Sequence, residues 1–255
     1  ASISGVDEVY LAGGAQAIAA MAYGTETVPK MDKILGPGNQ YVTQAKQLVN
    51  ASGVAIDMPA GPSEVMVIAD KLASPDFIAA DLLSQAEHGS DSQVFLLTTD
   101  ESLPQKVNDS LTNYLQTISR KDIAGEALLN SKIIVLSSED EVMKMSNVYA
   151  PEHLIIATQN PQELADKVTN AGSVFLGGYT PESLGDYASG TNHVLPTNGS
   201  ARAYSGLNVD SFLKKITFQN ATKTGLENIG NSVMTMAEAE GLDAHKLAVE
   251  IRMDK

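Results

Sequence analysis

Short apolar runs closed by glycine, proline or charged residues, each followed by a helix-length stretch, repeat along most of this chain. That alternation constrains the fold more than any other feature. Val65-Met66-Val67-Ile68-Ala69 is apolar at every position, as a strand is when helices cover both faces of its sheet. Ser74-Pro75-Asp76 starts a helix with proline at its first position, predicted to continue to about Glu87. Strands follow at Gln93 to Thr98, Lys132 to Leu136, Leu154 to Ala157 and Ser173 to Leu176, with helices at Leu103 to Ser119, Glu139 to Tyr149 and Pro161 to Ala171 between them. Strand and helix in turn predict an α/β fold built on a parallel sheet of the nucleotide-binding, Rossmann-like kind.

The same rhythm opens the chain. Glu8 to Gly14 reads as a short buried strand ending in glycines, and Ala15 to Tyr23 as a helix. Lys33-Ile34-Leu35 is a strand stub closed by Gly36-Pro37-Gly38-Asn39, a turn signal. A helix from about Gln40 to Asn50 and a strand at Val54 to Asp57 complete this part. Met58-Pro59-Ala60-Gly61-Pro62-Ser63-Glu64 then breaks the pattern with two prolines and reads as a crossover between domains. After about Arg202 the texture changes to one strand-like piece, Lys215 to Gln219, and helices at Thr224 to Glu240 and Leu242 to Met253, split at Gly241. The expected organisation is a nucleotide-binding portion at 1–62, a second α/β domain at 63–205 and a helical tail at 206–255. A terminal helix pair with little core of its own is expected to dock on something. The chain begins at Ala1 without an initiator methionine and reaches an apolar run within a few residues, as a piece of something longer does.

With 255 residues and 43% hydrophobic content, one or two domains with a sizeable core are expected. A net charge of −14 argues against nucleic acid or an anionic membrane as partner, since both need a basic face. The absence of cysteine excludes disulfides, thiolate zinc sites and a cysteine nucleophile, and fits a reducing cytoplasm. No apolar run approaches the roughly 18 residues of a membrane span, and no charged-then-apolar leader opens the chain.

The chain has 4 histidines, His88, His153, His193 and His245, and each has a carboxylate nearby in sequence. Imidazole is the commonest metal ligand and titrates near neutral pH, so this grouping suggests one assembled site for metal and proton chemistry. Gln85 and His88 are three apart on a predicted helix and share a face. With Asp186 and one more nitrogen they could hold a divalent cation; the plainer reading of the spacing is that His88 caps helix carbonyls ahead of Gly89. Glu152-His153 follows Pro151. Strand neighbours point to opposite faces, so both serve one site only at an element's end, as a general base with a second proton acceptor. The other reading is an exposed ion pair. Gly13-Gly14 and Gly36 to Asn39 could admit a phosphate, but the dinucleotide fingerprint is absent and tight turns explain them as well. Glu240 and His245 flank Gly241, where a helix-end charge pair is the plain reading.

Several of these stretches together resemble histidinol dehydrogenases. They are Ile56 to Glu64, Asp81-Leu82-Leu83-Ser84-Gln85-Ala86-Glu87-His88-Gly89, Gly13 to Ala19, Gly36-Pro37-Gly38-Asn39, Tyr149-Ala150-Pro151-Glu152-His153-Leu154, and Gly185-Asp186-Tyr187 through Asn192-His193 to Thr197. The resemblance runs from Gly5 to the C-terminus. It implies oxidation of L-histidinol through L-histidinal to L-histidine with two NAD in succession. It implies zinc on Gln85, His88, Asp186 and His245, His153 as the base for the hydroxyl proton, and Glu152 activating the water that hydrates the aldehyde. Ser63, His193 and Glu240 would contact substrate with the zinc ligands and His153, and Gln16 and Asn39 would contact NAD. It further implies a homodimer whose helical tail crosses to the other copy, and an N-terminal portion preceding the position of Gly5. Two other classes fit these residues: a zinc hydrolase, weakened by the lack of a His-Glu-x-x-His helix, and an inactive metal-binding fragment that dimerises through its tail.

Overall fold

The computed structural model describes residues 2–58 and 61–253. Pro59 and Ala60, in the middle of the crossover read at Met58 to Glu64, lie outside the described residues. In chain order the helices and strands are α1 (Gly14–Tyr23), β1 (Lys33–Ile34), α2 (Gln40–Ala51), β2 (Ala55–Ile56), β3 (Glu64–Ala69), α3 (Pro75–Ala86), β4 (Gln93–Thr98), α4 (Leu103–Leu115), α5 (Lys121–Leu129), β5 (Lys132–Val135), α6 (Glu139–Tyr149), β6 (His153–Ala157), α7 (Pro161–Ala165), β7 (Ser173–Leu176), α8 (Glu182–Tyr187), α9 (Lys223–Ala239) and α10 (Asp243–Met253). The fold is α/β with parallel sheets: β1 pairs β2, and a five-stranded sheet runs β5-β4-β3-β6-β7. The chain divides into two compact units, Ala1–Ser211 and Phe212–Lys255. Among the described residues no helix is long and apolar enough to cross a membrane.

Strand β3 shows why the large sheet forms. All six of its residues are buried. Val65, Val67 and Ala69 pack with Ile78, Leu82, Val107 and Ala124 on one face, while Met66 and Ile68 pack with Val142, Met143 and Leu164 on the other. Successive strand residues alternate faces, so a wholly apolar run is what a sheet sandwiched between α3–α5 and α6–α7 requires. The chain builds outward from β3 to β4 and β5, then returns to place β6 on the opposite side of β3. The topological switch point therefore lies between β3 and β6.

Several sequence readings are corrected. Glu8 to Gly14 is not a strand: residues 6–13 have no regular structure, and Leu11 and Val9 are exposed. Among the described residues no strand pairs with it, and an unpaired strand is not stable. Lys215 to Gln219 likewise forms no strand and is exposed. The helix read to Ser119 stops at Leu115, because Thr117 takes the Tyr114 carbonyl with both its N–H and its hydroxyl, and α5 follows. The helix read to Ala171 stops at Ala165. Beyond it the Asn147 side chain claims the backbone, donating to Lys167 O and accepting from Thr169 N. Helix α8 has no counterpart in the sequence reading.

Candidate active site

A cleft of about 270 Å³ opens at the amino ends of β3 and β6, and Ser63, Gln85, His88, Glu152, His153, Asp186 and His193 all line it. Local chemistry brings each there. Ser74 caps α3, its hydroxyl accepting from Phe77 N, which fixes where the helix starts and so where it ends. Gln85 is buried in its last turn and His88 is exposed just beyond it. The negative end of the α3 dipole points at these two residues, which favours a cation. Asp186 comes from α8. Helix α6 ends at Ala150, whose N–H donates to Ser146 O at 2.8 Å and whose φ of 58° is left-handed. An alanine there costs about 1–2 kcal/mol. It turns the chain through Pro151 so that Glu152 and His153 both enter the site. The pair is buried, at 6% and 4% exposure, which overturns the reading of an exposed ion pair.

The hydrogen bonds assign roles to individual atoms. His153 Nδ1–H donates to the Glu64 carbonyl at 3.1 Å. A carbonyl can only accept, so proton exchange falls to Nε2. Nε2 is buried with no hydrogen-bond partner and lies 3.6 Å from Asp186 Oδ1, an ion-pair distance longer than a hydrogen bond. Glu152 Oε2 accepts from Glu64 N at 2.9 Å, which fixes its carboxylate beside the imidazole. Glu64, the first residue of β3, thus holds both catalytic candidates with its backbone. Its own carboxylate accepts from Asn198 N at 2.9 Å.

Four carboxyl groups surround His153. Burial pushes Glu64, Glu152 and Glu182 each up to about 7, against the pull of the imidazolium. Burial alone would lower His153, but the carboxylates of Asp186, Glu152 and Glu182 prevail and lift it to about 9. Asp186 is held below the ordinary carboxylate range, chiefly by its contact with His153.

The opposite wall is set by a buried ion pair. Lys46 contacts Asp57 and donates to Gly36 O at 2.9 Å, while Asp57 accepts from Gly36 N at 2.8 Å. This pair fixes the Gly36-Pro37-Gly38 turn at the cleft. Asn39 caps α2, its side-chain oxygen accepting from Tyr41 N and Val42 N, so only its Nδ2 is left to face anything else. Asn39 lines a second, adjoining cavity of about 550 Å³ shared with Ser63 and His88. Gln16, exposed in the first turn of α1, lines neither cavity. Glu240 and His245 belong to the second unit, at the α9 C-cap and in the first turn of α10.

Comparison with known proteins gives this geometry a lineage. A family model described as histidinol dehydrogenase matches residues 1–253. The chain belongs to the histidinol dehydrogenase family. The histidinol dehydrogenase of Bacteroides thetaiotaomicron is 59% identical over 254 residues, and that of Vibrio parahaemolyticus is 58% identical over 257. The whole chain is matched in both, and it spans 59% and 60% of their lengths. A crystal structure of histidinol dehydrogenase from Elizabethkingia anophelis superposes with a TM-score of 0.97 at 61% identity, over 99% of this chain and 58% of that one.

Gln85, His88 and Asp186 offer the nitrogen and oxygen donors that zinc takes. The Gln85 amide meets the Glu182 carboxylate, and two oxygens do not face each other. Its Nε2 end therefore faces Glu182, 3.1 and 3.3 Å from the two oxygens, and its Oε1 faces away. Among the described residues no three or more imidazoles and carboxylates are placed to hold a metal ion. In the first unit the implied set has only two such groups, His88 and Asp186, beside the Gln85 amide oxygen. The sequence reading missed Glu64, Glu182, Lys46 and Asp57. Glu182 had a signal, since it lies four residues before Asp186 after Pro181, the spacing that stacks two acids on one helical face.

Proposed function

We propose that this chain carries the catalytic cleft of an NAD-dependent enzyme that oxidises L-histidinol through L-histidinal to L-histidine, the closing steps of histidine biosynthesis. The observation that carries this is the buried Glu152–His153 pair opening onto the cleft that Gln85, His88 and Asp186 share, in a member of this family. When bound, zinc on Gln85, His88, Asp186 and His245 would anchor the amine and imidazole of the substrate, and NAD would accept a hydride in each oxidation. His153 Nε2, in the neutral form that its rise to about 9 confines to alkaline pH, takes the hydroxyl proton as the carbinol C–H bond breaks. Glu152 then takes a proton from the water that adds to the aldehyde, and the hydrate loses the second hydride to give the carboxylate. A chain without cysteine cannot hold the aldehyde as a thiohemiacetal, so hydration by a fixed carboxylate is the route its residues offer. Ser63, His193 and Glu240 contact the substrate, while Gln16 and Asn39 contact NAD.

In this reading residues 1–62 are part of the NAD-binding domain, 63–205 the catalytic domain and 206–255 a dimer-forming tail in a cytoplasmic homodimer. Within the tail, Ile229, Met236, Leu247 and Ile251 are exposed, an apolar surface of the kind that marks an interface. The first unit supplies three of zinc's usual four ligands, and His245 from a second copy supplies the fourth.

The test adds L-histidinol, NAD and zinc to the chain as it stands and, in parallel, to the chain joined to the N-terminal portion of a curated relative. Two NADH formed per histidinol consumed is expected. A folded, zinc-loaded protein that forms none refutes the reading. Glu152→Gln should slow histidinol oxidation at the aldehyde stage, with less loss in the alcohol half-reaction. Equal losses in the two half-reactions would contradict the division of roles.

A further inference from the structure

We infer that Glu182 is the positioning residue that sets which end of the Gln85 amide faces the cleft, and so makes Gln85 an oxygen ligand. The inference rests on the zinc reading above and names the group that reading leaves out. Glu182 is 1% exposed, and its carboxylate is met by side-chain donors. Ser84 Oγ donates to it at 2.9 Å, and Gln85 Nε2 at 3.1 and 3.3 Å. The Ser84 hydroxyl is also 2.8 Å from Asp81 O. His153 Nδ1 lies 3.9 Å from its other side.

An amide side chain has one donor end and one acceptor end of nearly the same shape. Only a neighbour that is purely acceptor or purely donor can tell them apart. An ionised carboxylate only accepts, so Nε2 is drawn toward Glu182 and Oε1 is turned away from it. A leucine of similar volume would leave a buried N–H without a partner in that orientation, and the amide would lose its reason to present oxygen. Metal ligands are commonly oriented by such outer partners, whose loss costs 10- to 100-fold in affinity. Glu182 and Asp186 are four residues apart on α8, so one short helix supplies both a ligand and the group that orients its neighbour.

The experiment measures zinc affinity by competition with a chromophoric chelator, at fixed pH, on the intact dimer. Wild type, His88→Asn, Glu182→Leu, Glu182→Gln and the exchange Gln85→Glu with Glu182→Gln are compared. Glu182→Leu is expected to weaken zinc binding about 10- to 100-fold. The exchange keeps size, charge and one donor–acceptor contact while leaving a carboxylate oxygen for the cation, so it should bind within about tenfold of wild type and more tightly than Glu182→Gln. A merely structural role for Glu182 gives no such recovery. Zinc binding that His88→Asn weakens but Glu182→Leu leaves unchanged overturns this inference and keeps the zinc reading. Wild type that binds no zinc, or binding indifferent to His88→Asn, overturns both. If Glu182→Leu does not fold, the comparison of Glu182→Gln with the exchange decides: an exchange no tighter than the single variant overturns the inference.

Discussion

Gly172 packs against the backbone of Glu152, proposed above as half of the catalytic pair, and replacing it with alanine tests how tightly that pair must be held. Its N–H donates to Pro151 O, and the next residue, Ser173, donates to Glu152 O, both at 2.9 Å. A Cβ on Gly172 would lie 2.5 Å from Glu152 O, 3.3 Å from Glu152 C and 3.2 Å from Leu195 Cβ, whereas real Cβ contacts stay above 3.0 Å. Backbone must therefore move by at least the difference, 3.0 − 2.5 = 0.5 Å. The backbone of Gly172 is not left-handed, so this contact alone is tested. Overpacking of this kind costs about 1–3 kcal/mol, or roughly 2–12 °C in Tm for a chain this size. Half an ångström is also about the tolerance of a catalytic constellation, and a displacement of about 1 Å costs on the order of 100-fold. Gly172→Ala should lower kcat about 10- to 100-fold while zinc affinity holds, since none of Gln85, His88 and Asp186 is touched. NADH formation, a thermal melt and the chelator titration read the three quantities. Wild-type kcat and Tm in the variant would refute the claim that the Pro151–His153 backbone is clamped at Gly172.

Ile156 is fully buried in the cluster with Met66, Ile68 and Leu154, so Ile156→Ala should cost about 2–5 kcal/mol in urea unfolding; a loss below about 1 kcal/mol would mean that this face of the sheet is loosely packed. His245→Asn and His88→Asn should each bind little zinc alone, while an equilibrated mixture should recover about one site in four if two-fold dimers exchange tails at random; no recovery removes the shared site. Burial pushes Glu64 up to about 7 from its ordinary 4.5, so the folded protein retains a proton that the unfolded chain releases. That stability is complete below 4.5 and is lost as pH rises through about 7. Glu64→Gln should therefore flatten the fall in Tm between about pH 5 and pH 8, and an unchanged slope would show that Glu64 does not carry it.

The core strands were legible because their burial leaves a local mark: Glu64–Ala69 and His153–Ala157 are buried throughout, and a short, wholly apolar run suits a strand covered on both faces. The same rule misled at Glu8 to Gly14, where the apolar residues are present but the partner strand is not. Helix α8 was missed since six residues are too few for a helical period to declare itself. At the site, Gln85, His88, Glu152, His153, Asp186 and His193 were found through their residue types, and the structure brings all six to one cleft. Glu64 and Glu182 escaped notice because their partners are distant in sequence. Glu64 meets Glu152 and Asn198, 88 and 134 positions away, and Glu182 meets Ser84 across 98. No window along the chain contains both halves of such an interaction.

The switch between β3 and β6 has an electrical consequence. Open parallel sheets usually receive ligands at the carboxyl edge, where helix amino termini point and phosphates are welcome. Here Glu64 and His153 are the first residues of their strands, and α3 and α6 end beside them. The carbonyl ends of both helix dipoles and the acids Glu64, Glu152, Glu182 and Asp186 thus share one rim of the sheet. The dipole ends at that rim favour positive charge over negative, the reverse of the preference at the carboxyl edge of such a sheet.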